Sequence, residues 1–496
     1  MTAVVALGAV AGCASDDDPE PVAGAAPASA DPGDPATGGD ATGVADTTDP
    51  SATDPPAPVT RAPASSATAV DDTAEAPERD EVQRDVDATS PPTDADVTCE
   101  HSSAPAPLPE HISVGMADLG EVDGVRVRAA EYPLPDYDGN PWSQWGEGLV
   151  LPDGRFVSAV GDHQGRDGTT WFYEYDPATD ELTRTVEVSD FLGHEDGDWG
   201  YGKIHAPMLL AADCTVITAT YWGSRRGLEL GGSYSGDHLV RYDPTTRTVE
   251  DLGVPVEGYG LPSLSISPDR RWIFGEAVDP ASEPEVGVDL GVFFVADAAT
   301  GAVSVVDDRA GHGGFRDIIV TADGEAVYAN WDATLGAVRP DGSTRTLEPG
   351  LPSWLRAATP TRTDGPVYAA TRRPEILFRY TETSEIEEMG ELEGYVASLG
   401  LSPDGSTVYY APGAHGDGPE LGGTPLIAVD AATGDREVLV RLNEIIEPAL
   451  GLTVGGSYSV VADPSGERVY VGLNAGEAGS DETFGHVVLA VVDLTG

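Results

Sequence analysis

Histidine, tryptophan and arginine recur at matching distances from a repeated aspartate. Eight residues before Asp153, Asp213, Asp269, Asp323, Asp364, Asp404 and Asp463 stand Trp145, His205, Leu261, Phe315, Arg356, Val396 and Gly455, with Arg316 one step beyond Phe315. Eight to ten residues after the aspartates come His163, Trp222, Trp331, Asp332, Arg372 and Arg373. Indole faces suit sugar rings and other flat ligands. Guanidinium forks suit carboxylates and phosphates. His163, His205 and His312 come from successive connections, and their spacing carries no short metal-binding motif. A structural account stands next to each of these. The arginines can pair with acids such as Glu147 and Asp332, the tryptophans can pack between sheets, and a histidine more commonly makes a single hydrogen bond. Both accounts stay open at this stage.

Shorter motifs carry less. The acidic run at His194–Gly200 lacks the ligand positions of a calcium-binding helix–loop–helix. The segment at Asp167–Trp171 has the wrong glycine spacing for an Asp-box. No nucleophile elbow, zinc-protease helix or phosphate-binding loop occurs.

The elements that must position these residues follow from the repeat itself. Units such as "LVLPDGRFVSAV" and "LGLSPDGSTVYYA" alternate with units such as "FFVADAATGAVSVV" and "LIAVDAATGDREVL", and the pair recurs seven times. Alternating apolar runs bounded by Pro, Asp and Gly are strands joined by tight turns. Two hairpins per repeat make a four-stranded sheet that needs a neighbour on each face, and a ring supplies both. The expected fold is all-β, a seven-bladed β-propeller over 99–496 with four-stranded antiparallel blades. The last repeat stops at "DLTG", so a strand near 125–132 is expected to complete the last blade. The PDG and TG turns share one end of the ring. Long connections share the other, and seven of the nine histidines (His163, His194, His205, His238, His312, His415 and His486) fall there.

Segments such as "SPDGSTVYY" make the repeats similar to YVTN-type and WD-like propellers, and the repeat style is shared with streptogramin-lyase-like propellers. The resemblance implies architecture, because one fold hosts binding modules and enzymes alike. Propellers resembling oligogalacturonate lyase hold a divalent metal at the channel mouth through several histidines. That resemblance implies a metal role for His163, His205 and His312. No other cofactor is expected.

The chain opens with an apolar run ending Val10-Ala11-Gly12-Cys13, which resembles a bacterial lipobox. Residues 1–12 then read as a lipoprotein signal, with Cys13 as the lipidated residue. About ten apolar residues are too few to span a bilayer. Residues 13–98 read as a disordered acidic tether rich in Ala, Asp, Pro and Thr, since 14–98 contains no Leu, Ile, Met, Phe, Trp or Tyr. The remaining cysteines, Cys99 and Cys214, are expected to pair, as suits an exported protein. The formal net charge is −58, of which the tether carries −17, leaving −41 on the folded part. That excludes nucleic acid as a partner. Lys203 is the only lysine.

These readings converge on an extracytoplasmic propeller, anchored to a bacterial membrane by its lipid and expected to be monomeric. It would bind an anionic small molecule, a saccharide or a protein at the long-loop face through Trp145, His163, His205, Trp222, Arg316, Trp331, Arg356 and Arg372. The alternative is a metal-assisted lyase or hydrolase acting on an anionic saccharide or lactone. A pure assembly scaffold is a third possibility.

Overall fold

The structure is a computed structural model that describes residues 105–106, 112–122, 124–195, 197–221, 234–279, 291–307, 317–329, 335–347, 354–372, 374–381, 385–480 and 482–494. Residues 1–104, with Cys13 and Cys99, lie outside this set, as do Trp222, His312, Arg316 and Trp331. Among the described residues no helix is long and apolar enough to cross a membrane.

Seven antiparallel sheets form in chain order. In each blade the innermost strand runs toward a PDG-type turn. Asp153, Asp213, Asp269, Asp404 and Asp463 each accept a hydrogen bond from the amide two residues on, at 2.6–3.2 Å. The residue after the aspartate takes a left-handed conformation at Gly154, Cys214, Arg270, Gly324, Gly365 and Gly405. Glycine does this without a steric cost; Cys214 and Arg270 do not have that freedom. The second turn type is built the same way, with Asp297 and Asp430 each accepting from two following amides.

Blades three to six have four strands, whereas blades one and seven have five. In blade two the innermost strand is split into Lys203–Ile204 and Leu209–Leu210. Pro207 sits in the gap, where it has no N–H to give the ladder. Blade seven consists of Leu452–Ala462, Arg468–Glu477 and His486–Asp493, then Val125–Glu131 and Ala117–Val122 from the other end of the described chain. Arg126 lies opposite Asp493 and Glu131 opposite Val488, so the two ends form one continuous ladder. The preceding strand, Ile112–Gly115, joins the outer edge of blade one. This one N-terminal segment therefore covers the outer edges of two neighbouring blades, which a reading of uniform four-stranded repeats does not foresee.

The hydrophobic core is divided among the gaps between blades. Seven buried clusters each draw residues from two adjacent sheets. The one that closes the ring packs Phe156, Tyr173 and Tyr175 of blade one against Tyr470, Leu489 and Val491 of blade seven. Phe156 stacks on Tyr470 at 5.0 Å between ring centres. Each blade thus buries both faces, the condition that forces a closed ring.

Candidate functional site at the channel mouth

At the end of the ring opposite the PDG turns, residues from five blades form a linked run of rings and cations. It starts at Lys203, which is completely buried at the start of blade two. Its Nζ lies 3.8 Å from the centre of the Trp145 ring and 5.2 Å from that of Tyr221. An ammonium removed from water is costly, and these two π faces offset part of that cost. Tyr221 in turn packs at 4.9 Å against His205. His205 is buried, with Nδ1 held at 2.9 Å from the carbonyl oxygen of Pro262 in blade three.

Trp145 is the hub. Its ring stacks with His163 at 5.5 Å and Phe484 at 5.7 Å, and meets Tyr458 at 4.8 Å. His163 stands in a left-handed conformation, φ 54°, with Nδ1 3.1 Å from Asn140 O. The neighbouring Asp162 builds the loop that presents it, accepting from the amides of Gln164 and Thr169 at 2.9 Å each and from Tyr137 Oη at 3.1 Å. Burial pushes this carboxyl up to about 6, although the three donors pull the other way.

From Tyr458 the run passes to His415 at 6.1 Å and then to Tyr395 at 4.5 Å. Two guanidiniums of blade five approach the Tyr395 ring, with Arg372 Cζ at 4.7 Å and Arg356 Cζ at 5.9 Å from its centre. Arg356 is the bulged residue of its strand, where the pairing steps from Leu355 to Ala357. The bulge turns the side chain out of the ladder. Behind the mouth, burial also drives the Asp237 carboxyl well above the carboxylate range. Hydrogen bonds from Tyr234, Leu261 N and Thr220, together with the charge of Lys203, oppose that shift.

Of the residues read from the sequence, Trp145, His163 and His205 are joined through Lys203 and Tyr221, and Arg356 and Arg372 through Tyr395. Trp222, Arg316, Trp331 and His312 lie outside the described residues. Leu261 and Val396, at the equivalent offset, pack instead into the clusters between blades. Tyr395 and Tyr458 carry no repeat signal, because they sit one and three positions off that offset. For Tyr458 the cause is visible: two register shifts, at Val454/Gly456 and Ser457/Ser459, re-aim its strand. Among the described residues no group of three His, Cys, Asp or Glu is placed to hold a metal ion. In both His163 and His205 Nδ1 faces a backbone carbonyl oxygen.

No protein-family model matches the sequence, and no curated protein matches it. Among solved structures, an oligogalacturonate lyase in complex with manganese is similar at 13% identity and a TM-score of 0.48, over 78% of this chain and 97% of that one. A catalytically inactive virginiamycin B lyase from Staphylococcus aureus with quinupristin is similar at 9% identity and a TM-score of 0.48, over 73% of this chain and 99% of that one. A streptogramin B lyase is similar at 9% identity and a TM-score of 0.47, over 74% and 98%. The likeness is one of overall architecture and extends no further.

Proposed function

We propose that this propeller is a binding protein that takes an anionic ligand with a flat or ring-shaped body, an acidic saccharide being the best match, at the aromatic and cationic mouth. One observation carries the reading. In a folded part with a formal charge of −41, Lys203, Arg356 and Arg372 are gathered at one end of the ring against the faces of Trp145, Tyr221 and Tyr395. Aromatic planes accept the apolar face of a sugar ring, and guanidinium forks accept its carboxylate. The test is titration with a uronate oligosaccharide and with its neutral counterpart. The acidic form should bind, the neutral form at least about tenfold more weakly, and Arg372→Ala should remove about the same factor, since each removes one charge-assisted contact. Equal binding of both forms, or unchanged affinity in the variant, would refute the reading.

We further infer that the protein works outside the cytoplasm, held to the membrane through a lipid on Cys13, and that Cys99 pairs with Cys214. The disulfide is supported by what lies seven residues beyond Cys99. There the Ala106 amide donates to Thr245 O at 2.8 Å and Ala106 O accepts from Arg247 at 3.1 Å. Thr245 and Cys214 occupy the two turns of blade two that share one end, and seven residues span at most about 25 Å. Cys214 also occupies a left-handed position, φ 70°, that suits glycine better. A specific bond is a reason to keep cysteine there. Reduction should lower stability by about 2–4 kcal/mol, and a non-reduced digest should give a Cys99–Cys214 linked peptide. Two thiols that react freely in the native protein would end the idea.

A further inference from the structure

At the channel mouth, blade seven departs from the pattern of its neighbours. Eight residues before their turn aspartates, blades one, two and five supply Trp145, His205 and Arg356, whereas blade seven has Gly455. The space beside Gly455 is taken by a neighbour. The connection between the second and third strands of blade six, residues 411–424, crosses onto the innermost strand of blade seven, Leu452–Ala462. There the Gly418 amide donates to Gly455 O at 2.6 Å, while the Gly413 amide donates to Tyr395 O of blade six at 2.9 Å. In the chain between these two ties stands His415, half-buried. Its ring lies 4.5 Å from that of Tyr395 and 6.1 Å from that of Tyr458.

The contact is made of glycine on both sides. A Cβ on Gly418 would lie 2.2 Å from Gly455 O, and one on Gly455 would lie 2.5 Å from Thr483 Cβ and 3.0 Å from Gly416 Cα. Neither glycine has a left-handed backbone, so the close approach of two chains is what requires glycine at both places. Any side chain there must push the connection off blade seven. We propose that Gly418 and Gly455 are positioning residues of the mouth: their contact fixes the connection so that the His415 imidazole stands in for the side chain blade seven lacks, and meets the ligand there. This rests on the reading of the mouth as an anion-binding site. An imidazole offers an N–H donor to a carboxylate. It also joins the Trp145 side of the mouth, through Tyr458, to the arginine side, through Tyr395. Because the connection is already seated, the ligand does not have to order it.

The experiment joins NMR of the ligand-free full chain, with labelled histidine, to titration with a uronate oligosaccharide. The His415 ring protons, identified by their absence in His415→Ala, should be displaced by the ring currents of Tyr395 and Tyr458. Gly418→Ala should return them toward the positions of a free imidazole. Gly423→Ala, in the same connection, is the control. Its φ is 92° and the nearest atom to an added Cβ lies 3.8 Å away, so it strains the backbone locally and should leave those resonances in place. His415→Ala should weaken uronate binding about tenfold, the worth of one hydrogen bond to a charged group. Gly418→Ala should match it, and the double variant should lose about tenfold rather than about a hundredfold, since the glycine acts through the histidine. Gly423→Ala should bind as the parent does. Unmoved resonances in Gly418→Ala, additive losses in the double variant, or undiminished affinity in His415→Ala would each overturn the proposal. Should Gly418→Ala fail to fold, Gly455→Ala takes its place in both measurements. A parent that binds no uronate refutes the mouth reading and the ligand role of His415, while the ligand-free resonances still decide the positioning.

Discussion

A chain shortened to begin at Tyr132 will lose cooperative folding. The shortening removes Val125–Glu131 and Ala117–Val122, two of the five strands of blade seven, and Ile112–Gly115 from blade one. Val125, Val127, Ala129 and Ala130 are all buried, with Val127 and Ala129 completely so. Burying a valine contributes about 1.5–3 kcal/mol, so the two valines and two alanines together contribute about 5 kcal/mol. The loss also strips the outer ladder partner from Val488–Asp493, leaving an apolar edge open to other chains. Arg128 goes with it. This side chain ties Asp493 of blade seven, at 3.1 Å, to Tyr175 of blade one, at 2.9 Å, and also holds Asp180. A domain's whole stability is about 5–15 kcal/mol, so these losses together consume most of it. Thermal unfolding followed by circular dichroism should show no sharp transition, and a synthetic peptide covering 112–131 should restore one. A shortened protein that melts at the temperature of the full chain would show that the ring does not need this closure. Val127→Asp tests the same joint with one atom-scale change and should destabilise the full-length protein by several kcal/mol, because it places a lone charge in a sealed cluster.

The closing strand illustrates how a fold becomes legible. Seven hairpin pairs and a final repeat that ends early together leave one strand missing, and a β-rich segment before the first repeat is the available candidate. Local turn chemistry carries the rest, since an aspartate that accepts from the amide two residues on needs only its own neighbours. The mouth is legible in part for the same reason. Trp145, His205 and Arg356 stand at one offset from their turn aspartates, and all three are in the linked run of rings and cations. The offset fails where the backbone departs from regular pairing. Blade seven carries two bulges, so Tyr458 faces Trp145 instead of Gly455. Lys203 is singular in the sequence, but its aromatic neighbours come from two blades, and such a meeting has no local signature.

Replacing Glu174 with alanine should cost about 3–5 kcal/mol, the usual consequence of removing one member of a buried charged group. Glu174 is 2% exposed and lies at the joint between blades one and two. Oε2 accepts from Arg155 at 2.9 Å and from Arg247 at 2.7 and 3.2 Å, while Oε1 accepts from Tyr242 Oη at 2.5 Å. Arg155 is itself buried and also held by Asp153, the turn aspartate of blade one. Arg247 sits in a left-handed conformation and reaches on to Ala106 O. One carboxylate therefore fixes a turn of each blade, the tyrosine that stacks on Phe172 at 4.7 Å, and the N-terminal segment. Without it, two guanidiniums and a phenol each lose one of their partners in a place where water cannot fully replace it. The signature is specific. Glu174→Gln keeps the shape and some hydrogen bonds and should cost clearly less than Glu174→Ala. A double-mutant cycle with Arg247→Ala should show strong coupling, because the second change removes one of the stranded charges. The loss should also be nearly insensitive to salt, as expected for a pair shielded from solvent. Chemical denaturation of the five proteins measures all of this. A Glu174→Ala protein within about 1 kcal/mol of the parent would place the joint's stability in its apolar packing, with the ion cluster adding nothing to it.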